Sequence, residues 1–378
     1  MKPSQPRLNL RRQKLARQYS GITRRLSLIQ SAVVGVVLLV LVFTPLSAKL
    51  GHLLGFPQPW ASALYFIILA VGYTIIFMPL SYYQGFVLPH RFGLSHQKFW
   101  SWLADRAKGS VLSFILALVV IIFVYWLMDQ FPGTWWLWAS IALFLLSLLL
   151  TRLTSTLLIS MFFKLQPLRD SKLRRRLINL AKRAGAPILG VFTINLSSKS
   201  NTANAMLAGL GRTRRIILTD TMLKRYTSEE IEVVMAHELG HHIHRDISKM
   251  IAMQAVMILL GFYISNLILH AAVEPLGFQG IADAATLPLL GLTIAVLSII
   301  ITPFLNTYSR YVEVAADKEA IELTAKPDAF ISAMTRLTNQ NLSVADPSRW
   351  AELLFYDHPP YTKRISLANS YSKSSSGR

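Results

Sequence analysis

Residues 227–246 read TSEEIEVVMAHELGHHIHRD. Thr227 followed three residues later by Glu230 fits a capping box, so a helix starts here. Ile231, Val234, Met235 and Leu239 give that helix an apolar stripe at helical spacing. Within it, His237, Glu238 and His241 form the pattern H-E-x-x-H. Residues four apart share a helix face. Two imidazoles so placed can grip one zinc ion, with Glu238 beside the first as a general base toward water. The competing reading is a surface helix that is rich in histidine by accident. It requires a cap, a stripe, two histidines and a glutamate to fall into register by chance.

The 378 residues around this helix are 53% hydrophobic and 15% charged, with mean hydropathy +0.42. These values belong to a membrane protein. There is no cysteine, which excludes a disulfide framework, a thiolate nucleophile and cysteine metal ligands. Residues 1–25 carry eight Lys or Arg and no acid. They read as a disordered cytoplasmic arm near anionic headgroups. Apolar runs long enough to cross a bilayer follow at 26–47, 60–80, 110–128, 135–150 (apolar onward to 163, interrupted by Arg152), 251–270 and 284–305. The first reads as an uncleaved anchor rather than a signal peptide. The fifth reads as a direct continuation of the H-E-x-x-H helix. Trp126, Trp135, Trp136 and Trp138 gather at one end of spans three and four, as an interfacial belt does.

Six spans put both termini on one side. The loops 48–59, 129–134 and 271–285 then hold one basic residue, Lys49, and the other 38 of the 39 Lys and Arg lie opposite. The positive-inside rule places both termini and the H-E-x-x-H helix in the cytoplasm. This accounts for the net charge of +20 without a nucleic-acid partner. The expected membrane is that of a prokaryotic cell, with the endoplasmic reticulum as the alternative.

Between spans four and five, residues 170–185 read as a basic helix ending at Gly185, with Pro187 beyond. Strands are expected at 191–195, 205–208 and 215–219. Residues 308–323 and 328–339 read as helices, and the polar tail from Ser370 as disordered. The fold class is therefore mainly α: a polytopic membrane helix bundle of about six spans, with a cytoplasmic α+β zinc-metallopeptidase lobe carrying a small sheet. Its expected parts are the arm, 1–25; four spans, 26–163, with a cytoplasmic loop at 81–109; a catalytic segment, 164–250; two spans, 251–306; a second catalytic segment, 307–369; and the tail, 370–378.

A catalytic zinc takes three protein ligands and leaves a position open. The candidate for the third is Glu313, in SRYVEVAAD (309–317), just past the sixth span and on the same side as the zinc helix. Asp317, four residues on and on the same face, can orient a ligating histidine; both acids can also be solvated helix charges. His242 reads either as packing or as a support behind the metal ligands, and His244 as cytoplasmic surface. His358 precedes two prolines in YDHPPYTKR and is held in an extended turn. There it can hydrogen-bond a developing oxyanion, or sit at the surface before a turn.

With these residues assembled, the chain resembles the integral-membrane gluzincin endopeptidases that include the type-1 CAAX prenyl protease, with heat-induced bacterial membrane proteases as a related branch. The resemblance is carried by HELGH at 237–241, SRYVEVAAD at 309–317, HPPYTKR at 358–364, SNTANAMLAGLG at 200–211, RIILTDTML at 215–223 and FVLPHRFGLSHQKFWSWLADRAKG at 86–109. It runs from about residue 60 to 368. It implies one zinc held by His237, His241 and Glu313, with Glu238 as base and Asn204 and His358 supporting the oxyanion. It also implies an extended peptide paired to the strand around Asn204 to Leu207, and places Asp317 and Arg364 beside the site, where opposite charges can form an ion pair. Prenyl proteases of this type have seven spans around a large chamber; this sequence carries six.

The expected function is a zinc endopeptidase acting on membrane-associated, lipidated or misfolded proteins near the cytoplasmic face. One alternative is a processing protease specific for prenylated CAAX-type peptides. Another, of a different class, is a membrane transporter or scaffold with a structural zinc. Transporters carry intramembrane ionisable groups or paired broken helices. Here Arg152 is the one charge well inside an expected span, which weighs against transport.

Overall fold

The computed structural model describes residues 6–153, 159–209 and 211–376. Helices α1 (Leu10–Phe43), α2 (Leu46–Leu54) and α3 (Trp60–Tyr82) open the chain, and a π turn at Tyr83–Val87 leads into α4 (Leu88–Arg91). Helices α5 (Phe99–Gln130) and α6 (Trp135–Leu153) complete the first group of spans, followed by the short α7 (Ile159–Phe162). The lobe begins with β1 (Leu165–Pro167), α8 (Ser171–Arg183), β2 (Gly190–Ile194), β3 (Ala205–Ala208) and β4 (Arg215–Thr219). It continues through α9 (Asp220–Arg225) and the H-E-x-x-H helix α10 (Ser228–Ile243). Spans α11 (Asp246–Ala272) and α12 (Leu287–Thr324) follow, then α13 (Pro327–Gln340), α14 (Arg349–Phe355) and α15 (Tyr361–Ser376).

Six of these helices, built on α1, α3, α5, α6, α11 and α12, are long and apolar enough to cross a membrane. The protein is an integral, multi-pass membrane protein with a small mixed sheet. Strand order is β1-β2-β4-β3. β2 and β4 run parallel, while β1 and β3 pair antiparallel on the outside. β3 is thus an edge strand. Its register with β4 pairs Ala205 with Leu218 and Leu207 with Ile216.

Several sequence expectations are corrected. The basic arm is ordered from Leu10 and continuous with the first span. Arg12 donates to the carbonyls of Asn339 and Gln340, and Gln13 to that of Ser343. These tertiary bonds satisfy the arm, where its composition pointed to disorder. The 81–109 segment is not an open loop: helix passes through Pro79 into the π turn and reaches Arg91. The H-E-x-x-H helix does not run on into the fifth span, because Arg245 breaks it in a left-handed conformation, φ 54°. The sixth span and the expected 308–323 helix are one continuous helix. The tail is helical to Ser376, with Ala368 buried and the Tyr371 hydroxyl on Glu322. Strand β1 was not foreseen, and the expected apolar stretch at 154–158 lies outside the described residues.

Two features place the site. Helix α12 leaves its apolar section at Leu305 and carries Glu313 about 12 Å further, eight residues at ~1.5 Å each. Helix α10 packs against that extension. At Gly240 a Cβ would meet Ala316 Cα at 3.1 Å, Glu319 Cβ at 3.2 Å and Ala316 O at 3.3 Å. The glycine inside HELGH therefore lets two helix backbones approach closely enough for Glu313 to reach the histidines. The lobe core beneath is Leu177, Ile216, Leu218, Val233, Met235, Leu239 and Phe330, all buried.

Candidate metal centre

The capping box expected at the start of α10 is present in both directions: Glu230 N–H donates to Thr227 Oγ1 and Thr227 N–H to Glu230 Oε2. Glu230 is tied further to Ser332 and Arg336. The helix is thus fixed at its head, and its buried face carries His237, with Glu238 and His241 partly accessible.

His237, His241 and Glu313 each offer one ligand atom within 4.8 Å of the others. His237 Nε2 lies 3.2 Å from Glu313 Oε2, and His241 Nε2 lies 3.4 Å from Glu313 Oε1. Ligands about 2.1 Å from a tetrahedral ion stand about 3.4 Å apart. Buried Glu313 Oε2 has no hydrogen-bond partner despite the close imidazole. A buried carboxylate oxygen left unbonded is costly, unless it and the nitrogens address a common third body. The three groups fit a divalent cation with nitrogen and oxygen preferences.

The other side of each imidazole fixes its tautomer. His237 Nδ1 is 2.9 Å from Asp317 Oδ1. His241 Nδ1 is 3.1 Å from Asp246 Oδ2. Donation from Nδ1 to a buried carboxylate leaves the Nε2 lone pair for a metal. Asp317 is fully buried and gripped by Arg364, whose Nε donates to Oδ2 at 2.8 Å while Nη2 pairs with Oδ1. Asp246 was missed by the sequence reading, although it closes the quoted stretch. On an unbroken helix it would lie about 140° around from His241; the turn at Arg245 brings it back.

His242 faces away, its Nε2 against the Gly185 carbonyl at 3.3 Å. His244 is half-buried beside Glu319 at 3.5 Å, rather than on the surface as expected. His358 is brought to the cluster. Its Nε2 lies 3.2 Å from Glu313 Oε1, and its Nδ1 is 2.8 Å from Asp357. Asn204 is exposed, just before edge strand β3. Its Oδ1 accepts from Ala205 N–H at 2.9 Å and its backbone carbonyl from Thr219 N–H at 3.1 Å. These bonds stay within the sheet. The strand reaches the site two positions after Ala205, where the Leu207 amide bonds the Glu238 carboxylate.

The electrostatics suit the chemistry. Burial pushes the Glu238 carboxyl above its ordinary range, against the pull of both histidines and the Leu207 amide, which makes it a better proton acceptor. Burial alone would lower His237, but the adjacent carboxylates of Asp317 and Glu313 overcome it and push the imidazole up to about 9. A metal must therefore displace a proton there. The Asp357 hydrogen bond raises His358, favouring a charged, donating imidazole.

Comparison with known proteins agrees with this geometry. Residues 167–372 match the model of peptidase family M48, and residues 4–164 that described as "CAAX prenyl protease N-terminal, five membrane helices". Over that second stretch the described residues hold four candidate spans and the nine-residue α2. The chain is 29% identical over 361 residues to the "Uncharacterized metalloprotease YhfN" of Bacillus subtilis, covering 94% of this chain and 84% of that one. It is 30% identical over 295 residues to the "CAAX prenyl protease 1 homolog" of Oryza sativa subsp. japonica, covering 76% and 68%. The crystal structure of S. mikatae Ste24p shares the fold, with TM-score 0.83 and 24% identity over 97% of this chain and 92% of that one. The chain belongs to peptidase family M48, as a membrane metalloprotease of the CAAX prenyl protease type.

Proposed function

We propose that the metal is zinc, one per chain, held by His237, His241 and Glu313, and that the protein is an endopeptidase for membrane-associated, lipidated or misfolded polypeptides. The observation that carries this is the convergence of three ligand atoms, with both histidines locked from behind by Asp317 and Asp246. Bound there, zinc supplies Lewis-acid polarisation of the scissile carbonyl and acidifies water. Glu238 accepts a proton from the attacking water and returns it to the leaving amine. His358, held by Asp357, and the Asn204 side-chain amide donate toward the oxyanion. The substrate lies along β3 as an added strand. In an antiparallel edge strand, alternate N–H and C=O groups face outward, and with Asn204 bonded to Thr219 those of Ala205 and Leu207 are the outward ones. A peptide added there takes the place of Asn204 Oδ1 on the Ala205 amide and of Glu238 on the Leu207 amide, and such an edge binds extended peptide with little regard to side chains.

Both termini and the site are assigned to the cytoplasmic face by the distribution of Lys and Arg, in a prokaryotic cell membrane or, alternatively, the endoplasmic reticulum. The lobe comprises 164–250 and 307–369. Processing of prenylated CAAX-type peptides is the second reading, favoured by the relatives that bear that name. The test is a matched set of quenched peptides, farnesylated, acylated or carrying a transmembrane anchor, presented to the protein in nanodiscs. Cleavage of anchored peptides regardless of lipid supports the broad reading. Cleavage confined to the farnesylated peptide selects the narrow one. No cleavage by zinc-replete protein would reject both.

A further inference from the structure

The segment that delivers His358 also carries exposed apolar surface that catalysis leaves unused. Helix α14 presents Trp350 (75% exposed) and Leu354 (40%) four residues apart on one face, with Phe355 (47%) beside them. Ala351 and Glu352 face inward. Two separate helices fix its depth. From α12, Asn306 Nδ2 donates to the Leu354 carbonyl at 3.0 Å, and Arg310 to those of Glu352 and Tyr356 at 2.8 and 2.6 Å. The apolar section of α12 ends at Leu305, so these bonds hold α14 where the bundle leaves the hydrocarbon. From α1, the Arg24 guanidinium lies 5.6 Å from the centre of the Phe355 ring, two residues before the apolar run of the first span begins. A tryptophan and two large apolar side chains at that depth suit a bilayer interface.

Beside them, between α1 and the segment entering α14, is a cleft of about 300 Å³ lined by Arg17, Arg24, Asp346 and Tyr356. Gly21 sits between the two arginines, and a Cβ there would meet nothing within 4 Å. Arg17 and Arg24 lie about 10 Å apart along the helix, seven residues at ~1.5 Å, and neither has an ion-pair partner among the described residues. Guanidinium groups address phosphate oxygens in bidentate fashion.

We propose that α14 rests in the leaflet surface at this end of the bundle, and that Arg17 and Arg24 hold the headgroup phosphate of a bilayer phospholipid. The lipid then seats the strap that runs from Tyr356 to His358. This assignment stands apart from the peptidase reading, since it concerns where the strap lies and not what it does.

The absence of cysteine makes a single nitroxide label unambiguous. Full-length protein carrying Leu354→Cys or, as an aqueous control, Lys172→Cys is placed in nanodiscs of phosphatidylglycerol and phosphatidylcholine. Accessibility to oxygen and to a water-soluble nickel chelate is compared. The label at 354 is expected to favour oxygen and the label at 172 the chelate. Adding Arg17→Gln with Arg24→Gln is expected to raise chelate access at 354 severalfold, with unchanged circular dichroism. A label at 354 as aqueous as that at 172 would overturn the interfacial placement. An unchanged label in the double variant would overturn the phosphate site. In maltoside, phosphatidylglycerol is expected to raise the Tm of the parent protein but not of the double variant. An equal rise with inorganic phosphate alone would show a free-anion site and reject the lipid.

Discussion

Gly240→Ala tests how the site is assembled, because the structure sets two opposing terms against each other. Alanine gains about 1 kcal/mol over glycine inside a helix. Its Cβ would sit 3.1 Å from Ala316 Cα and 3.2 Å from Glu319 Cβ, where carbon atoms prefer about 3.5–4.0 Å. Relief requires α10 and α12 to part by roughly 0.4–0.6 Å at backbone atoms that cannot rotate aside, and such overpacking costs about 1–3 kcal/mol. The net change in stability is therefore about 0–2 kcal/mol, a modest shift in Tm. The metal site has no such compensation. Glu313 lies three residues before Ala316 on the moving helix, and metal sites tolerate only about 0.2 Å in ligand distance. Zinc affinity is expected to fall roughly 10–100-fold, as when an orienting group is lost. Competition with a chromophoric chelator measures affinity, and thermal unfolding of the same samples measures stability. Unchanged zinc affinity would refute the idea that close helix approach positions Glu313, whatever the Tm does.

Three further outcomes are expected. Asp246→Asn frees His241 from its carboxylate and should weaken zinc about 10–100-fold with little loss of stability; equal affinity in chelator competition would remove Asp246 from the site. In metal-free protein, His237 is raised to about 9 from 6.5. Its stabilising contribution is thus complete below about pH 6.5 and is lost as pH rises through about 9, so the Tm of metal-free protein should fall across that window while zinc affinity rises; a flat Tm and a pH-independent affinity would contradict the protonated imidazole. Leu207→Pro removes the β3 amide that faces Glu238 without breaking the ladder with β4, so kcat/KM for extended peptides should fall at least several-fold with zinc retained; an unchanged kcat/KM would argue against a role for this edge in the reaction.

What the sequence disclosed was local. The capping box of Thr227 and Glu230, the H-E-x-x-H face and strands 205–208 and 215–219 depend on neighbours within a few residues, and the structure has them at those positions. Glu313 was legible because a two-histidine motif leaves one ligand missing and the sixth span ends nearby. Features made by distant contacts were hidden. The basic arm lacks acids of its own but is satisfied by carbonyls more than 300 residues away. Strand β1 is three residues long and exists through its pairing with β2. Asp246 needed the left-handed turn at Arg245, a residue type that gives no signal of it. The sixth span and the helix bearing Glu313 looked separate because hydropathy drops sharply after Leu305 while helical geometry does not.

The central claim is that His237, His241 and Glu313 hold one zinc that Glu238 uses to cut peptide bonds. The most direct measurement takes wild type, Glu238→Gln and His241→Ala through one purification, with metal content by mass spectrometry and cleavage of an anchored quenched peptide read side by side. One zinc per chain is expected in wild type and Glu238→Gln and much less in His241→Ala, with cleavage in wild type alone and a loss of at least about 10²-fold in Glu238→Gln. Full activity in Glu238→Gln, or full zinc in His241→Ala, would contradict it.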